Sequence, residues 1–94
     1  MTRTTASRNK NFLLEVLSIV DGDRAEEYGD ARENHARIAA MWSALLKREV
    51  TADQVYLCLL AVKMSRLVES PKHRDSWLDI AGYAALASGE KDDK

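Results

Sequence analysis

Residues that break helices or cross-link chains are scarce here: among 94 residues there are one proline, four glycines and one cysteine. So few turn formers leave little scope for the short, turn-bounded strands of a β domain. The single Cys58 excludes an internal disulfide. Set among Leu57, Leu59 and Leu60, it reads as a buried and unreactive thiol. Charge of one sign is also missing. A net charge of −1 gives no general attraction to nucleic acid or to an anionic membrane. The longest mostly apolar run, residues 55–62, is far too short to span a bilayer. Residues 1–10 carry Arg3, Arg8 and Lys10 among Thr and Ser, with no apolar signal region after them. The expected location is therefore the cytoplasm. Metal-spaced Cys/His sets, a Gly-rich phosphate loop and a His-Glu-x-x-His motif are all absent from the sequence. Ser43, Ser65 and Ser76 fall inside helical patterns with no base to activate them, which argues against a serine nucleophile.

What is present is an apolar pattern recurring at three and four residues, in a chain that is 46% hydrophobic. That spacing predicts an all-α, compact bundle of four main helices in one domain, residues 10–89. A flexible basic tail (1–9) and a frayed charged tail (90–94) flank it. Helix one is expected over residues 10–20, with Phe12, Leu13, Val16, Leu17 and Val20 on one face. Asp21-Gly22-Asp23 interrupts it; Asp23 and Glu26 have capping-box spacing for a short piece ending at Tyr28 and Gly29. A second such pair, Asp30 and Glu33, opens helix two, whose expected buried stripe is Ile38, Met41, Trp42, Leu45 and Leu46. Thr51 and Gln54 open helix three, apolar almost all round over residues 55–62 and so expected to be the central element. Pro71 stops it near Ser70. Helix four should run from Pro71 or Lys72 to about Ser88, thinned by Ala81, Gly82, Ala84 and Ala85. A chain this short buries only about 60–65% of its unfolded surface, so completion of the core by a homodimer is expected.

The chemistry-bearing residues gather on the last two helices. Lys63 and Arg66 share a face of helix three; Asp75 and Asp79, four apart, share a face of helix four with Gly82 and Tyr83. A short turn makes these helices antiparallel neighbours, which places the two cations opposite the two acids. Their bland role is a salt-bridge network fixing the hairpin. Their functional role is an anion site, with Asp75 and Asp79 holding one Mg²⁺ beside substrate phosphates. Arg24, Tyr28, Asn34 and His35 form a second polar group near the first interhelical turn, as bundle-end hydrogen bonders or as site residues. His73 stands where exposed backbone N–H groups at the start of helix four favour anions. Trp42, Trp77 and Tyr83 are most simply core residues, and without a basic stripe around them stacking on nucleic acid is not expected.

Taken together, several blocks resemble a family of small phage and prophage proteins of unknown function. These are residues 24–30 (Arg-Ala-Glu-Glu-Tyr-Gly-Asp), Asn34 with Ile38-Ala39 and Trp42-Ser43, Lys63 with Arg66-Leu67, and residues 75–83 (Asp-Ser-Trp-Leu-Asp-Ile-Ala-Gly-Tyr). A more distant similarity is to the MazG-like all-α nucleoside triphosphate pyrophosphohydrolases. Those are helical bundles, usually dimeric, in which acidic motifs on two adjacent helices bind Mg²⁺ and nucleotide phosphates. Asp79 matches the Asp of the last acidic helix, Ser76 falls where its preceding acid would be, and Asp75 is the neighbouring substitute. On the helix before, Lys63-Met64-Ser65-Arg66 stands where those enzymes carry Glu-x-x-Glu. Two cations in place of two carboxylates remove most of a metal site, so hydrolysis by that family's metal mechanism is not expected.

Two function classes follow, with a third, an active Mg²⁺-dependent nucleoside triphosphate pyrophosphohydrolase, ranked behind both. One is a phage-encoded, MazG-like nucleotide- or phosphate-binding protein with little or no hydrolase activity, using Lys63, Arg66, Arg24, Asn34, His73 and Tyr83, with Asp75 and Asp79 ordering the ligand or one Mg²⁺. The other is a helical protein–protein interaction module, binding a host factor or a second copy, in which the charge cluster is purely structural.

Overall fold

The structure, a computed structural model, describes residues 3–21 and 31–91. Four helices and no strands occur among them: α1 (Arg3–Asp21), α2 (Ala31–Leu46), α3 (Ala52–Glu69) and α4 (Arg74–Lys91). The all-α bundle is as the spacing predicts. None of the helices is long and apolar enough to cross a membrane. The Asp23–Glu26 capping pair, Asp30 of the second pair, Arg24 and Tyr28 lie outside the described residues, while Glu33 stands in the first turn of α2.

Local chemistry explains the boundaries of α3. Thr51 Oγ1 accepts from the Gln54 backbone N–H at 3.2 Å, and the Gln54 side chain accepts from the Thr51 N–H at 3.0 Å, a complete capping box. At the other end the Ser70 N–H donates to the Arg66 carbonyl at 2.9 Å, and Pro71 follows. Helix α2 is followed by Lys47, whose φ of 56° is the left-handed conformation usually given to glycine. Ser43 secures the following turn: its Oγ donates to the Ala39 carbonyl and accepts from the Val50 N–H, both at 2.8 Å. Helix α1 starts at Arg3 rather than near Lys10, taking in most of the expected tail, and α4 starts at Arg74 rather than at Pro71 or Lys72.

The central element is α4, not α3. It packs against α3, α1 and α2, whereas α1 rests on α4 and α2 mainly on α3. Helix α1 reaches α4 at the buried Gly82, where an added Cβ would lie in ordinary contact, 3.9 Å from Val20 Cγ2. The core is Val16, Ala39, Val55, Tyr56, Leu67 and Leu78, with His35 and Ser76 as buried polar residues. An arginine clasp adds to the α1–α4 contact. Arg74 Nη1 lies 2.7 Å from Glu15 Oε1, and its guanidinium sits 5.6 Å from the centre of the Phe12 ring.

Uniform burial of α3 is not observed, because helices reach it from one side only. Val55, Tyr56 and Leu67 are buried, while Leu57, Val62, Met64 and Val68 are exposed. The same holds for part of the expected α2 stripe, since Met41, Leu45 and Leu46 face outward and Ile38 and Trp42 are half-buried. On α1, Leu13 and Leu17 are likewise exposed. Cys58 is exposed rather than buried, and Trp77, about half exposed, donates its indole N–H to the Pro71 carbonyl at 2.9 Å.

Candidate functional site

Antiparallel pairing of α3 and α4 brings one cation and one acid together. Lys63 Nζ lies 2.8 Å from Asp79 Oδ2, with both side chains only partly open to water. Arg66 and Asp75 do not join them. Both are exposed, and neither makes an ion pair among the described residues. Their positions have a simpler cause: Arg66 lies in the last turn of α3 and Asp75 in the first turn of α4. A cation at a helix C-terminus and an anion at an N-terminus each gain from the macrodipole.

A double-mutant cycle between Lys63→Met and Asp79→Asn should give a coupling of about 0.5–1 kcal/mol in urea unfolding, small because water reaches the pair. Strict additivity would show that the pair contributes nothing to the hairpin.

The other nominated residues separate into different places. His73 directly precedes α4, and its half-buried ring turns inward, with Nδ1 2.8 Å from Ser76 Oγ. Ser76 itself is only 1% exposed. Asn34 is exposed and accepts a long 3.5 Å hydrogen bond from Arg37. Tyr83 belongs to an aromatic cluster instead of the charge pair. Its ring meets His35 edge-on at 6.2 Å and Tyr56 at a tilt at 6.5 Å, while His35 stacks on Tyr56 at 4.3 Å. His35 is held there by Nδ1 donating to the Ala31 carbonyl at 2.7 Å.

A Mg²⁺ site does not fit this donor set. Asp79 already neutralises an ammonium, Asp75 faces water, and the position of the resemblance's third acid is a buried serine. Among the described residues no group of three or more His, Cys, Asp or Glu side chains is placed to hold a metal.

Two open cavities are instead apolar, and they lie at the two ends of α3. One, of about 370 Å³, is lined by Trp42, Leu46, Val50, Leu57 and Cys58 together with Arg48, Glu49 and Gln54. The other, of about 470 Å³, is lined by Met64, Leu67, Val68, Pro71, Trp77 and Ile80. Sequence reasoning missed both. The signal was present in the spacing of Leu57, Ala61, Met64 and Val68, but an all-apolar helix gives no indication of which side its neighbours occupy.

Comparison with known proteins agrees with the phage resemblance. The chain is 44% identical over 77 residues to the Gene 55 protein of Mycobacterium phage L5, covering 81% of this chain and 49% of that protein. It is 34% identical over 76 residues to the Gene 55 protein of Mycobacterium phage D29, covering 81% and 50%. The chain thus spans about half the length of these curated relatives. No solved structure matches it. A family model described as a domain of unknown function, DUF6378, matches residues 11–90, a span that takes in the core, the charged hairpin and both apolar cavities, and the chain belongs to that family.

Proposed function

We propose that this chain is a phage-encoded helical interaction module. In this reading the Lys63–Asp79 pair fixes the α3–α4 hairpin, and the apolar sides of α2 and α3 receive a protein partner. One observation carries the reading: on two neighbouring helices the described residues leave much apolar side chain open to water. Much of what is uncovered is large and apolar, including Met41, Leu45 and Leu46 on α2 and Leu57, Met64 and Val68 on α3. Contiguous apolar surface of this kind is characteristic of interaction sites.

Nucleotide or phosphate binding of the MazG-like kind has weaker support. It asks for free cations converging on a polar cleft. Lys63 is already paired, Arg66 stands apart from it, and both cavities are lined mainly by hydrocarbon. A phosphate placed there would lose its hydration without compensating hydrogen bonds.

Thermal unfolding against a panel of ribo- and deoxynucleoside triphosphates, with and without Mg²⁺, tests the choice. The expected result is no selective stabilisation. A bound nucleotide at one hundred times its Kd would add about 2.7 kcal/mol, or roughly 10 °C or more for a domain of this size. A rise of that order, lost in Lys63→Ala, would establish a phosphate site and end the interaction reading.

A further inference from the structure

Most of the apolar residues left uncovered on α3 fall on one line, with Val62 and Cys58 beside it. Leu57, Ala61, Met64 and Val68 follow one another at intervals of four, three and four, the spacing of a coiled-coil seam. Leu57 is 63% exposed, Met64 59% and Val68 83%, and Ala61 is exposed between them. Such a narrow stripe suits one partner helix rather than a broad core. It is continuous with both cavities, since Leu57 lines one and Met64 and Val68 line the other.

We infer that this stripe is the contact between two copies of the chain, with α3 packed antiparallel against α3 of the second copy about a two-fold axis between Ala61 and Met64. The inference rests on the interaction reading and names its partner. Three features favour a second copy. The first is extent: the stripe runs about 16 Å along α3 and meets an apolar cavity at each end. The second is shape. Reversing the stripe on itself sets Leu57 against Val68 and the small Ala61 against the long Met64, so that knobs meet gaps. A parallel pairing sets alanine against alanine and leaves a void. A contact of this kind is self-complementary, as a two-fold axis requires. The third is charge. The four stripe residues carry none, and the chain's net charge of −1 gives two copies little mutual repulsion.

Light scattering and engineered disulfides test the arrangement. The unmodified chain should have twice the 10.6 kDa chain mass at concentrations up to about 100 µM. Met64→Glu, which places a charge on the axis, should halve that mass while the helical circular dichroism stays unchanged; Val68→Lys is the second such variant. In a Cys58→Ser background, Ala61→Cys should oxidise to a cross-linked dimer, because the two copies of that position face each other across the seam with an offset of only about 4.5 Å along the helices, within reach of a disulfide. Leu57→Cys should not, its two copies being about 16 Å apart along the axis. A dimer that survives Met64→Glu, or one cross-linked through Leu57→Cys, would overturn the arrangement. If both charge variants unfold, the cross-linking pattern alone decides. A monomeric chain with a silent nucleotide panel removes the second copy as partner and leaves the interaction reading standing, whereas nucleotide binding removes both.

Discussion

Tyr56→Ala is expected to destabilise the chain by about 3–5 kcal/mol in urea unfolding, the range for removing a buried aromatic ring. Tyr56 is 1% exposed and joins three helices. Its ring stacks on His35 from α2 at 4.3 Å and meets Tyr83 from α4 at 6.5 Å. Truncation empties the space that all three helices share, and the core has few other large side chains to collapse into it. Small domains have roughly 5–15 kcal/mol of total stability, so this one substitution should leave a substantial unfolded fraction at 25 °C. A loss below about 1 kcal/mol for Tyr56→Ala would mean that the aromatic cluster does not organise the bundle.

Ser76→Glu should be nearly as damaging, by about 3 kcal/mol or more at pH 7. This change restores an acid at the position where the MazG-like motif carries one. In this fold Ser76 is 1% exposed and its hydroxyl is 2.8 Å from His73 Nδ1, under the first turn of α4. A carboxylate there loses its hydration in a space sized for a hydroxyl, so overpacking adds to the electrostatic cost. Titration with Mg²⁺ should not recover the stability, because Asp79 is committed to Lys63 and Asp75 faces water. A Ser76→Glu chain of unchanged stability that Mg²⁺ stabilises further would show that the position opens into a metal site. That result would revive the pyrophosphohydrolase reading.

Reading the residues in order succeeds where the determinants are local. The turn between α2 and α3 was legible because its determinants are close in sequence: Thr51 and Gln54 reach each other's backbone three residues apart. The stop before Pro71 is local in the same sense. The Lys63–Asp79 pair was legible too, since a short connection leaves two helices no geometry but an antiparallel hairpin. Extending that logic to Arg66 and Asp75 went too far. A shared helical face fixes direction only within a wide arc, and at a helix end the backbone dipole already satisfies a charge without a partner.

Burial was the less legible quantity. Leu57, Val62, Met64 and Val68 have the same apolar character as Val55 and Leu67, yet only the latter two are covered. Cys58 took its expected burial from its neighbours in sequence, and those neighbours turn out to face different ways. Tyr83, nominated for ligand contact because it shares a face with Asp79, lies instead against His35 and Tyr56.

The sequence by itself determined that the chain is all helical, where α3 starts and stops, and that its last two helices bring cations of one towards acids of the other. Each of these depends on groups a few residues apart or joined by a short turn. Only the tertiary structure decided that α4 is the central helix, that the aromatic rings of three helices form one cluster, and that one side of α3 remains uncovered. Those outcomes depend on which helices pack on which sides. Periodicity places apolar groups on a face, but the fold chooses which apolar faces meet.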